Sequence, residues 1–210
     1  MFVESDIREF LDALKSESAT PGGGAASALS GAMSAALLSM VMRISIRKIK
    51  DEDVVEELQK LIKRCDRISS EMAQFIDRDI EAFNKVMDAY KLPKSNPEEK
   101  QNRKAKIQIA LKGAALVPLN LMESVKEIAL CGKKIVDIVP GSVISDIGVS
   151  ALLANSALEG AYYNVKINLK YIKDSSFNEE IAGKGSNIFS ETKNTLDSIK
   201  QKIDKIVEGS

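Results

Sequence analysis

The 210-residue chain contains no histidine, and that one absence decides which chemistry is open to it. Ser-His-Asp and Cys-His nucleophilic sites, histidine-ligated zinc and haem with a histidine axial ligand are excluded. Acid–base work near neutrality falls to carboxylates, lysines or tyrosines with shifted pKa values. Three places carry polar groups that a plain helical scaffold does not need. The first is Pro21-Gly22-Gly23-Gly24, which leads into an apolar run. It reads either as a tight connecting loop or as a point where exposed N–H groups and a helix dipole hold an anion. It is not a P-loop, since no Gly-Lys-Ser/Thr follows. The second is Asp79, which at about 100° per residue falls between Ile76 and Phe83 on a stripe continued by Met72 and Tyr90. A carboxylate there must be paired, hydrogen-bonded or protonated. A structural polar contact and a functional group with a tuned pKa are both open. Asp77 and Glu81 point a quarter to a half turn away. The third is the series Ser145, Asp146, Asn155, Asn164 and Asn168. Asp146 taken alone reads first as a helix cap. Asn164 and Asn168 lie four apart on one helical face, where two amides can bind a planar heterocycle or satisfy each other. Lys94, Lys100, Arg103 and Lys104 form a basic set, either a solvated face or a patch that steers an anionic substrate.

Helices are required to position these groups. Glycine, proline and aromatic residues are scarce, and 3.6-residue periodicity runs through nearly the whole chain with no alternating strand pattern. A short helix capped by Ser5 is expected to bury Ile7, Phe10, Leu11 and Leu14. After the glycine loop, a helix from about Ala25 to Ile49 begins almost entirely in small residues. No charge occurs from Ala19 to Met42, long enough to span a bilayer. Its serines, glycines and few large apolar side chains instead predict a central helix that lets its neighbours approach closely. Asp51, Glu52 and Asp53 open the next helix, which runs to about Tyr90. Pro97-Glu98-Glu99 opens another, in which Pro118 is expected to produce a kink or a division. Ser142, Ser145 and Asp146 are candidate caps for a helix over 147–172, and a last helix covers about 179–207. The reading is all-α: one domain over 1–210, a bundle of about five long helices that pairs with a second copy as a dimer.

Composition adds boundaries. Thirty basic residues balance thirty acidic ones, which gives no basic excess for nucleic acid. Cys65 and Cys131 are far apart in apolar segments and read as reduced core thiols. The start Met1-Phe2-Val3 lacks a basic region followed by an apolar run, so no signal peptide is expected and the cytoplasm is the expected compartment.

Five stretches, in order and over most of the chain, resemble the cyclodeaminase domain of formimidoyltransferase-cyclodeaminase and its stand-alone bacterial relatives, including methenyltetrahydrofolate cyclohydrolases. They are TPGGGAASALSGAMSAAL at 20–37, DRDIEAF at 77–83, LPKSNPEEKQNR at 92–103, SDIGVSALL at 145–153 and GAYYNVKINL at 160–169. The resemblance implies an all-helical bundle that dimerises. It also implies a reduced folate substrate with a glutamate tail, no metal and no bound cofactor. The first expectation is the cyclodeaminase reaction, in which N10 closes onto a formimidoyl carbon and ammonia leaves. The alternative is the cyclohydrolase, and a helical interaction module without activity is the reading outside enzymology. On the matched positions, Asp79 and Asp146 are assigned as the acid–base and charge-stabilising pair, with Asp77 in reserve. Gly22, Gly23 and Gly24 shape the pocket beside Ser145. Lys94, Lys100 and Arg103 receive the carboxylate tail, and Asn164 and Asn168 the pterin.

Overall fold

The structure is a computed structural model that describes residues 4–209. The opening Met1-Phe2-Val3, on which the signal-peptide reading rested, lies outside the described residues. Among the described residues the chain is helical with no strand. The elements are α1 (Ile7–Leu14), α2 (Gly23–Ile46), α3 (Glu52–Lys91), α4 (Pro97–Ile135), a 3-10 turn (Gly141–Val143), α5 (Ile144–Leu169) and α6 (Ser175–Glu208).

Local chemistry starts most of these helices. Asp6, Asp51, Asn96 and Asp174 each accept a backbone N–H of the first turn, capping α1, α3, α4 and α6. The cap of α1 is therefore Asp6 rather than Ser5. Helix α1 also buries less than its periodicity suggested: Phe10 is in the core, but Ile7 is 74% exposed and Leu11 51%. Helix α6 begins at Ser175, earlier than expected, because Asp174 caps a polar first turn that carries no hydrophobic period. None of the three candidate caps starts α5. The 3-10 turn feeds straight into it, and the Ile144 N–H bonds the Gly141 carbonyl.

Helix α4 is not divided at Pro118. Proline lacks the N–H that would bond the carbonyl four residues back, here that of Ala114. Asn168 on α5 donates its Nδ2 to that carbonyl at 2.9 Å. A side chain from the neighbouring helix supplies the missing donor, so the helix continues.

Helix α2 sits at the centre. It packs along α3 on one side and α5 on the other and touches α4 behind. Its small residues permit this closeness. A Cβ on Gly160 would overlap the Ser27 hydroxyl, and one on Gly31 would overlap the end of Met72. Serines bond across the gaps they leave: Ser34 Oγ donates to the Ser150 carbonyl at 2.8 Å and Ser150 Oγ to the Ser34 carbonyl at 2.9 Å. Ser30 Oγ donates to Leu153 and Ser69 Oγ to Ala32. As numbers rise along α2 they fall along α5, so the two helices run antiparallel. Helices α2 and α5 are both long and apolar enough to cross a membrane by length and composition; here they form the interior of the bundle. One large cluster of buried side chains from all six helices makes the core, and a smaller one forms around Ile107, Leu111 and Ile172. Leu158 is fully buried in the main cluster. Leu158→Ala should lower unfolding free energy by about 2–5 kcal/mol in urea titration, and a loss under about 1 kcal/mol would mean that α5 is not packed as described.

Candidate active site

At the end of the bundle where α2 begins, the helices diverge around a cavity of about 370 Å³. Thr20 and Gly22–Gly24 form one wall. The second half of α3 contributes Asp79, Phe83, Val86 and Tyr90 to the next. Leu111 and Ala114 of α4 line it, as do Asn164, Asn168 and Tyr171 from α5 and the turn after it.

The position of Asp79 is set by α2. Gly22, the residue before that helix, has no side chain to cap it, and the first N–H groups of any helix need acceptors. The Asp79 carboxylate, delivered by α3, accepts the Ala25 N–H. It lies so close that a Cβ on Gly24 would overlap it. Gly24 is thus required by a side chain from another helix, not by its own backbone angles. Burial pushes the Asp79 carboxyl above its ordinary pKa, and the Ala25 N–H offsets part of that rise. A carboxyl raised by burial and held at a helix N-terminus is suited to carry or accept a proton and to face a cation.

The two asparagines do not satisfy each other. Asn164 Nδ2 donates to the Gly160 carbonyl at 2.8 Å and Asn168 Nδ2 to Ala114. Both side chains line the cavity and neither amide oxygen has a hydrogen bond among the described residues, so two acceptors remain for a ligand. Arg103 reaches back from α4 and donates through Nε and Nη2 to the Tyr90 carbonyl at 3.1 and 2.9 Å. Its guanidinium stands 5.6 Å from the Tyr90 ring centre, at the rim of the cavity.

Of the residues singled out in the sequence, Gly22, Gly23, Gly24, Asp79, Asn164 and Asn168 come together here, with Arg103 against a lining residue. The others do not. Asp77 is two residues from Asp79 and therefore on a different face of α3. Lys94 and Lys100 are exposed beyond the end of α3. Ser145 and Asp146 lie in the first turn of α5, whereas Asn164 lies near its end. Eighteen residues at 1.5 Å each separate Asp146 from Asn164 by roughly 27 Å. Asp79 and Asp146 of one chain therefore do not form a pair. The sequence reading also missed part of the lining. Phe83 and Tyr90 were read as core, but α3 outruns its partners there and leaves them 36% and 43% exposed. Tyr171 sits in a turn without periodic signal. Among the described residues no group of three or more His, Cys, Asp or Glu could hold a metal ion.

Comparison with known proteins shows the family and agrees with the fold. Residues 6–186 match the family described as formiminotransferase-cyclodeaminase. The chain belongs to that family. A methenyltetrahydrofolate cyclohydrolase of Methylorubrum extorquens is 42% identical over 174 residues, which are 83% of this chain and 84% of that one. The formimidoyltransferase-cyclodeaminase of Sus scrofa is 34% identical over 89% of this chain, which spans 35% of that longer protein. The crystal structure of a formiminotetrahydrofolate cyclodeaminase from Thermotoga maritima superposes with a TM-score of 0.82 at 30% identity, covering 100% of this chain and 98% of that one. The named relatives are enzymes of folate one-carbon chemistry, as cyclohydrolase or cyclodeaminase, and so is this family member.

Two measurements check the site. Gly24→Ala should destabilise the protein by about 1–3 kcal/mol by forcing Asp79 aside. Gly23→Ala, whose Cβ would meet nothing closer than 3.9 Å, should stay within about 0.5 kcal/mol of wild type. The Asp79 side-chain carboxyl carbon should titrate by NMR with a midpoint above 3.8. A folded pKa raised above the unfolded one gives stability that is complete below the unfolded value and lost as pH rises through the folded value. The stability of Asp79→Asn relative to wild type should therefore increase with pH across that window, and a flat difference would refute the raised pKa.

Proposed function

We propose that this chain is a methenyltetrahydrofolate cyclohydrolase, acting at the carbon that bridges N5 and N10 of a reduced folate. The observation that carries this reading is the 42% identity to a named cyclohydrolase with nearly matched coverage of both chains. The cavity fits the chemistry. The substrate is a cation delocalised over N5, the bridging carbon and N10. The Asp79 carboxylate is the one acidic side chain among the residues lining the cavity, which supports its reading as the group that stabilises that cation. Water adds to the bridging carbon, forming a C–O bond, and its proton passes toward Asp79. The C–N5 bond then breaks as the hydroxyl loses its proton and N5 gains one. The balance is methenyl-folate plus water giving 10-formyl-folate plus a proton. Phe83, Val86, Tyr90 and Tyr171 supply an apolar and aromatic wall for the pterin and aminobenzoyl rings, and the Asn164 and Asn168 oxygens accept from ring N–H groups. Arg103, with Lys94 and Lys100 farther out, takes the glutamate carboxylates.

The second reading is formimidoyltetrahydrofolate cyclodeaminase, favoured by the full-length match to the Thermotoga maritima structure. There N10 attacks a formimidoyl carbon on N5, the proton of N10 and one more from the site pass to the terminal nitrogen, and the C–N bond to that nitrogen breaks as ammonia leaves. Both reactions pass through a tetrahedral carbon held by the same two nitrogens, so one cavity can serve either.

The test is the ultraviolet methenyl absorbance. Purified protein should accelerate its loss from 5,10-methenyltetrahydrofolate at matched pH. Growth of that band with ammonia release from the 5-formimidoyl compound, and no accelerated loss, would replace the first reading with the second. Asp79→Asn should reduce kcat by about 10²–10⁴ with the fold intact by circular dichroism. Turnover at the wild-type rate would remove Asp79 from the mechanism.

A further inference from the structure

The turn that joins α5 to α6, residues 170–174, carries Tyr171 into the wall of the cavity. Little in its own sequence makes it rigid. Lys170, Tyr171, Lys173 and Asp174 are exposed, and a helix that ends leaves its last carbonyls without helical partners. The Tyr171 and Ile172 N–H groups close back on the Asn168 and Leu169 carbonyls at 3.2 and 3.1 Å. Other bonds reach the turn from farther along the chain. Gln108 on α4 uses both ends of its amide: Nε2 donates to the Tyr171 carbonyl at 3.2 Å, and Oε1 accepts the Lys173 N–H at 2.7 Å. These two bonds straddle Ile172, which is buried in the small cluster with Ile107 and Leu111. Asn178 Nδ2 donates to the Ile172 carbonyl at 2.9 Å, and Lys112 Nζ to the Asp174 carboxylate at 2.6 Å.

Among the described side chains that grip the turn, Gln108 is the one bonded to the backbone of Tyr171 itself. A glutamine suits the task because one planar group offers both a donor and an acceptor, and the turn presents the complement of each. Its orientation is fixed by that complement, since a flipped amide would set oxygen against oxygen and N–H against N–H. Gln108 is not among the residues lining the cavity, so any effect it has on a ligand passes through the turn. Tyr171 is 56% exposed, and Phe83 and Tyr90 on the α3 wall are partly bare as well. Aromatic rings gathered around one cavity gain burial and stacking when a flat ligand enters. That gain requires each ring to be held where the ligand will lie.

We propose that Gln108 is a positioning residue of this site: by holding the Tyr171 carbonyl and the Lys173 N–H it fixes the turn after α5, and with it the Tyr171 ring that packs against the ligand. The proposal deepens the folate reading and rests on it for the identity of that ligand. The hold of Gln108 on the ring stands apart from the ligand's identity.

Two measurements test these parts separately. In the ligand-free protein with 13C-labelled tyrosine rings there are four tyrosines to observe, and the Tyr171 signal is assigned by its loss in Tyr171→Phe. Gln108→Ala should shift that signal and leave those of Tyr162 and Tyr163 in place. An unmoved Tyr171 signal would overturn the positioning. Both Gln108 bonds are exposed, so the melting temperature should fall by only about 2–4 °C. If Gln108→Ala does not fold, Gln108→Glu, which keeps the acceptor for Lys173 and loses the donor to Tyr171, takes its place in both measurements. In turnover of 5,10-methenyltetrahydrofolate, Gln108→Ala should raise KM about three- to tenfold with kcat nearly unchanged, as expected for lost ring contact that is equal in ground and transition states. Tyr171→Ala should raise KM to a similar degree, and the double variant no further than Tyr171→Ala alone, because the two act as one unit. A double variant whose rise is the product of the two single ones, or a Gln108→Ala that lowers kcat with KM unchanged, would overturn the proposal. If the wild type neither binds nor turns over the methenyl compound, the folate reading fails and the ligand named here with it, while the ring signal still decides whether Gln108 sets Tyr171.

Discussion

The structure depends on how one helix N-terminus is satisfied. Helix α2 begins with glycines and has no side chain of its own to accept its first N–H groups. The acceptor comes from Asp79 on α3. That contact fixes the α2–α3 register at the site and demands glycine at position 24. It also holds a partly dehydrated carboxylate at the wall of the cavity. Capping and catalysis are usually competing explanations for such an aspartate. Here the two are compatible, because the burial that makes the cap costly is what raises the proton affinity of the group.

A similar economy governs α5. Asn168 supplies the donor that Pro118 removed from α4, and Asn164 bonds within its own helix. Each amide uses its nitrogen for structure and keeps its oxygen on the cavity. The pair is therefore rigid, which suits recognition of a flat ring with fixed donors. The serine-to-backbone bonds between α2 and α5 have the same character. They hold small-residue helices at close range, where large side chains would have pushed the cavity walls apart.

Much of the fold was legible because helical signals are local. Asp51, Asn96 with Pro97, and the long apolar period of α3 announce their elements within a few residues. The failures were also local in cause. Pro118 was expected to break α4, since the compensating donor lies 50 residues later. The Ser142, Ser145 and Asp146 caps were plausible by type, but a 3-10 turn took over the task. Ile7 and Leu11 kept the right spacing on a helix too short, and too far out, to bury both.

By itself the sequence determined the class of chemistry and the helical scaffold. A chain without histidine leaves acid–base work near neutrality to carboxylates, lysines or tyrosines, and a charge-free run rich in small residues favours a helix packed among other helices. It also marked Asp79, since a carboxylate on an apolar stripe is costly wherever that stripe packs. Only the tertiary structure decided which marked residues meet. Asp79, Gly24, Asn164 and Asn168 converge because α3 and α5 both run antiparallel to α2 and end at its start. Asp146 stays at the other end of the bundle for the same reason: a straight helix of 26 residues cannot bring its two ends to one place.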